Sequence, residues 1–177
     1  MKLRNLLLSA AALSLMTACT KEDLQVTFDL NAANVVFVVK ATPQSGAMAI
    51  DAQNLSYNLD SVCKANNVNK DQIKSVKIKE VFLDIVDNNN TTFDLVDWAE
   101  AYVGAAGQAD LLLAAKNPVP KDGTRSISLD VKSVELADYI KSNQMSFFAK
   151  GQTNAPVKSD VEMRARVTFS ITGQIVK

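Results

Sequence analysis

Five acidic side chains lie close together in the chain: Asp84, Asp87, Asp94, Asp97 and Glu100. Two carboxylates facing each other across a sugar are what a glycosidase needs, so this group is the first place to look for hydrolysis. Acids on strand faces and turns also serve simply to keep an edge soluble. The chain has no histidine. That excludes a Ser-His-Asp triad, a Cys-His pair and histidine-ligated zinc or haem, and leaves only carboxylate or lysine chemistry. Residues 87–92 run Asp-Asn-Asn-Asn-Thr-Thr and put oxygen ligands at alternate positions. An EF-hand loop requires glycine at its sixth place and an acid at its twelfth, whereas Thr92 and Trp98 stand there. The segment therefore reads as an asparagine-rich turn able to supply left-handed backbone. The six glycines are scattered and form no phosphate-cradling loop. No cofactor and no metal is expected.

Binding has more to work with. If residues 94–106 form a strand, Trp98, Glu100 and Tyr102 share one face. Rings beside a carboxylate stack on a sugar and accept its hydroxyls, or anchor a protein partner. If the segment is helical, Trp98 and Tyr102 stand at i, i+4 and pack on the core. The alanines favour helix. The alternation of Ala99, Ala101 and Val103 with Trp98, Glu100 and Tyr102, closed by Gly104 and Gly107, favours strand, which is the expectation. Arg164 and Arg166 form a second candidate patch, for an anionic group, or a solvated strand face.

Cys19 carries a different chemistry. Lys2 and Arg4 open the chain, an apolar run follows over residues 6–16, and Thr17-Ala18 ends it, the layout of an export signal cut before Cys19. The run is shorter than the ~20 residues that span a bilayer. Met16-Thr17-Ala18-Cys19 resembles the lipobox of bacterial lipoproteins, with methionine where leucine is usual, and that resemblance implies a diacylglycerol on Cys19. Two or more acyl chains hold a protein durably on a membrane. Lys21-Glu22-Asp23 resembles the export signal of surface lipoproteins of Bacteroidetes and implies display at the outer membrane; the same three residues also suit a plain solvated tether.

Cleavage after Ala18 removes Lys2 and Arg4, leaving 17 basic against 19 acidic residues and a formal charge of −2. Nothing in that balance attracts nucleic acid. Residues 24–177 have the length of one domain, without a linker or repeat. Cys63 shares helical spacing with Leu59 and Val62, which favours a buried small hydrophobe over an interchain disulfide.

Strands must position these residues, because the dominant period is two. Residues 24–30 alternate. Residues 35–39 are continuously apolar, as expected of a strand covered on both faces. A weaker strand is read over 47–57, and helical turns over 58–66 and 69–74, the latter with Asn69 and Gln72 as a capping box. Residues 76–86 return to strand, but Val76 and Ile78 are out of phase with Val81, Leu83 and Ile85. A β-bulge near Lys79 and Glu80 would put both sets in the core. Further strands are expected over 111–115, 126–131, 145–150 and 161–172, with an Asp122-Gly123 turn and a short helix over 133–142 capped by Ser133. The fold class expected is all-β, an antiparallel two-sheet, immunoglobulin-like sandwich of seven to nine strands with one to three short helices. A barrel is the alternative.

The runs at residues 73–79, 93–95 with 100–103, 127–131 and 136–140 resemble those of small β-sandwich lipoproteins of Bacteroidetes, an uncharacterised group. The likeness implies a fold and a place, and no catalytic residue. The function expected is a non-enzymatic lipid-anchored envelope protein that binds a glycan or protein partner. The alternatives are an assembly subunit that uses strand edges, and a carboxylate-dependent hydrolase.

Overall fold

Residues 161–172, where apolar and polar side chains alternate without a break, belong to a fifteen-residue strand on which one whole sheet is built. The computed structural model describes residues 24–32, 34–87, 89–142 and 144–175. The export signal, Cys19 and Lys21-Glu22-Asp23 lie outside the described residues, as does Asn88 of the asparagine-rich turn.

The elements in order are β1 (Gln25–Asn31), β2 (Val35–Val39), β3 (Gly46–Asn54), α1 (Leu59–Ala65), β4 (Val68–Ile85), a 3-10 turn (Phe93–Leu95), β5 (Val96–Ala105), β6 (Leu111–Lys116), β7 (Ser126–Ser128), β8 (Asp130–Val131), α2 (Ala137–Lys141), β9 (Met145–Thr153) and β10 (Val161–Ile175). They form an all-β sandwich of two antiparallel sheets. The first sheet runs β1-β10-β4-β7, with β2 on the same edge of β10 as β1. The second runs β3-β9-β5-β6-β8. The inward faces of both sheets, from Val76, Phe169 and Ile171 on one side to Ala101, Val103 and Phe147 on the other, meet in one continuous core.

The expected phase slip in β4 is present. Thr168 pairs with Glu80 and Phe169 with Ile78, so Lys79 is the extra residue, and Val76, Ile78, Val81, Leu83 and Ile85 are all buried. Asn58 caps α1 by accepting the Ser61 N–H, and Cys63 lies on the buried face of that helix. Burial, and then Asp60, push the Cys63 thiol above its usual range, so it behaves as a small hydrophobe.

Four expectations are corrected. Residues 69–74 are not helical: Val68 pairs with Ile175 and Ile73 with Gly173, so the polar residues between them loop out of β4 as a wide bulge. Burial of Val68 and Ile73 overrides the local signal. The Asn69 N–H still donates to Gln72 Oε1, half of the capping box in a different setting. The apolar strand β2 is not covered on both faces, because it lies at a sheet edge with Val36 and Val38 exposed. The run over 126–131 splits at Leu129, so that β7 joins the first sheet and β8 the second. Ser133 caps no helix, and α2 is confined to Ala137–Lys141.

Glu135 does the work expected of Ser133. Its carboxylate accepts the N–H groups of Val76, Leu136 and Ala137 and the Ser75 hydroxyl, tying α2 to the middle of β4. Partial burial pushes the carboxyl up, but these donors together outweigh it and hold it below the ordinary glutamate range. Glu135→Gln removes the charge that the donors converge on. The variant is expected to lose about 1–2 kcal/mol at pH 7, a value reduced for solvent contact. Because the folded carboxyl is depressed, the wild-type advantage is complete above the unfolded glutamate pKa. It disappears as pH falls through the folded value. Urea melts of both proteins at pH 7 and pH 3 check this, and a constant difference across that window refutes it.

Candidate binding face

Trp98 reaches its face through a bulge. Val96 pairs with Thr153 and Trp98 with Gln152, so Asp97 is an extra residue and the alternation restarts with Trp98 outward and Ala99 inward. Gly151 makes this possible. A Cβ there would stand 2.8 Å from the Trp98 carbonyl oxygen and 2.6 Å from Met48 Cε. The strand alternative for residues 94–106 thus holds, and the helical core packing of Trp98 and Tyr102 does not.

Trp98, Glu100 and Tyr102 lie half-buried on the outer face of the second sheet. Directly across from them on β9 stand Gln152, Lys150 and Phe148. The Trp98 indole N–H donates to Gln152 Oε1 at 3.2 Å, and the Tyr102 hydroxyl donates to Glu100 Oε2 at 2.6 Å. The Tyr102 and Phe148 rings are parallel, with centroids 5.1 Å apart, and Lys150 Nζ sits 4.8 Å from the Tyr102 centroid. The bond to Glu100, and to a lesser degree burial, raise the Tyr102 phenol above its usual range. This ridge of rings and polar tips is flanked by small side chains. Ala47 and Ala49 of β3 lie opposite Gln152 and Lys150, and Ala115 of β6 lies opposite Glu100. The result is a raised aromatic and polar row beside low alanine shelves.

Phe148, Lys150 and Gln152 were not among the sequence-derived candidates. Their signal was available, since they alternate outward along β9, but their place beside Trp98 depends on the β5–β9 register, which no local pattern specifies.

The second candidate patch is partly consumed. Arg166 makes a two-pronged pair with Asp84, Nε to Oδ2 at 2.6 Å and Nη2 to Oδ1 at 3.0 Å, and its guanidinium lies 4.5 Å from the Phe82 centroid. The Arg166 bond, with a further one from Ser126, holds the Asp84 carboxyl below its ordinary range. Arg166 is thus committed to a neighbour on its own sheet. Arg164, which pairs with Asp84 across the strands, is left beside it.

The five acids do not face one another across a cleft. Asp84 is held by Arg166, Asp87 by Arg125, and Asp97 by Lys121 and Asn154. Asp94 accepts the Gly123 N–H, and Glu100 lies on the outer face described above. Among the described residues, no group of three or more acidic or cysteine side chains could hold a metal ion, and no helix is long and apolar enough to cross a membrane. No protein-family model matches the chain, and no curated protein matches it.

Proposed function

We propose that this is a non-enzymatic binding protein, held at the outer membrane by lipid on Cys19, that engages a glycan or protein partner through the outer face of its second sheet. The observation that carries the reading is the continuous row of Trp98, Glu100 and Tyr102 with Phe148, Lys150 and Gln152. Rings supply apolar faces for the C–H side of a sugar, while a carboxylate, an ammonium and an amide between them serve its hydroxyls. The alanine shelves leave room for an extended chain along the row. The dispersal of the five acids among separate partners supports binding over hydrolysis.

A glycan array probed with the mature chain, in which Cys19→Ala replaces the lipid attachment, tests the reading. Trp98→Ala and Tyr102→Ala are each expected to weaken the captured glycan tenfold or more, about 1.4 kcal/mol. Both side chains are solvent-facing, so the fold is expected to survive. If both variants bind as the wild type does, the face is not the site. If the array is blank while a protein from the envelope is captured and lost in the same variants, the partner is a protein.

A further inference from the structure

The edge at β2 is unlike the others. Its sequence is Val-Val-Phe-Val-Val, without a charge or a proline, and it takes a sheet neighbour on one side only. Val35, Phe37 and Val39 face the core, while Val36 and Val38 are 49% and 45% exposed. Soluble proteins normally blunt such an edge with charge, proline or a bulge. The neighbouring β1 edge follows that rule, since it carries the charge of Asp29.

The direction of the unused backbone groups follows from the ladder. The Val86 N–H donates to the Glu162 carbonyl, so the backbone groups of Glu162, and of Arg164 two residues on, turn toward β4. Their partners across β2 are Val38 and Val36. Opposite residues in an antiparallel pair either exchange both hydrogen bonds or exchange none. Val36 and Val38 therefore turn their N–H and C=O groups away from β10, toward the open side. Beside them a groove of about 370 Å³, lined by Val38, Lys40, Met48 and Ile50, lies between β2 and the neighbouring strand β3.

We infer that β2 pairs antiparallel with β2 of a second copy of this chain about a two-fold axis at Phe37. In this register Val36 lies opposite the partner's Val38, and Val38 opposite the partner's Val36. Both are pairs whose backbone groups face each other, so every outward group of the two valines finds its complement. A slip of one residue would set outward groups against groups already bonded to β10. Charge agrees with this choice. On the outer face the cross-strand row reads Arg164, Val36, the partner's Val38, the partner's Glu162. Opposite signs thus flank a four-valine patch at both ends. Asp84, the cross-strand neighbour of Arg164, is already taken by Arg166. The pairing is independent of the Trp98 face, which lies on the other sheet.

Sedimentation of the mature chain carrying Cys19→Ala tests it, at concentrations up to about 100 µM, where a weak strand–strand dimer populates. The wild type is expected to shift from monomer to dimer across that range. Val36→Lys with Val38→Lys sets like charges opposite each other and is expected to weaken the dimer at least tenfold. Val36→Lys with Val38→Glu sets opposite charges in register and is expected to restore it. Both double variants place charge on the solvent face, and circular dichroism checks that each is folded. Restoration reports the register itself, which a merely unfolded variant cannot mimic. A wild type that stays monomeric throughout, or a Lys/Lys variant that dimerises like the wild type, overturns the inference. A monomeric wild type that captures another envelope protein, lost in the Lys/Lys variant, also overturns it and assigns the edge to that partner.

Discussion

Replacing Cys19 by alanine is expected to reduce incorporation of a labelled fatty acid to background, against clear labelling of the wild type. The expectation rests on the Cys19 sulfur as the atom that would carry the diacylglyceryl group, for which alanine has no counterpart. The companion measurement moves residues 20–177 behind a cleavable secretory signal that lacks a following cysteine. That protein is expected in the soluble envelope fraction, because it lacks the cysteine on which the proposed lipid attachment depends. Labelling that persists in Cys19→Ala would place the lipid elsewhere, and a wild type without label would remove it from the account. Surface display has its own readout: proteinase added to intact cells should digest the wild type, and charge-neutral replacement of Lys21, Glu22 and Asp23 should protect it. Protection of the wild type would assign those residues to a plain tether.

The second large effect concerns Phe169. Its ring is fully buried at the centre of β10, opposite Ile78 and next to the Lys79 bulge. Phe169→Ala removes that ring from a core with contributions from both sheets, and the backbone, hydrogen-bonded on both sides, cannot collapse to fill the space. The expected loss is about 3–5 kcal/mol. For a domain of this length that lowers Tm on the order of 10 °C. Thermal and urea melts check it, and a loss below ~1 kcal/mol would contradict the packing described.

Much of this arrangement was legible in the sequence because the strands alternate cleanly. Residues 161–172 declared their faces by composition alone. The phase slip around Lys79 could be converted into a bulge because both apolar sets had to be buried. The alanines of β5 were a conflict between propensity and period, and period prevailed. What escaped depended on partners distant in the chain. Asn69 and Gln72 have a helical spacing that is overridden when Val68 and Ile73 are captured by the end of β10. Glu135 supplants Ser133 because the Val76 N–H, 59 residues away, adds a donor that no local motif encodes. The continuous apolar run of β2 suggested a covered strand, since composition alone does not distinguish a central strand from an unguarded edge. The outer-face row was half visible, through Trp98, Glu100 and Tyr102. Its other half waited on register.

The order in which the first sheet can assemble follows from where β10 sits. The strands β1, β2 and β4 all pair with it, yet it is the last of the described strands. A chain emerging from its N-terminus holds β1, β2 and β4 without their common partner until the fifteen residues of β10 appear. Contacts of such long sequence separation make for slow folding, and the valines of β2 stay unprotected while it proceeds. The first sheet therefore closes late, once β10 has joined the three strands that precede it.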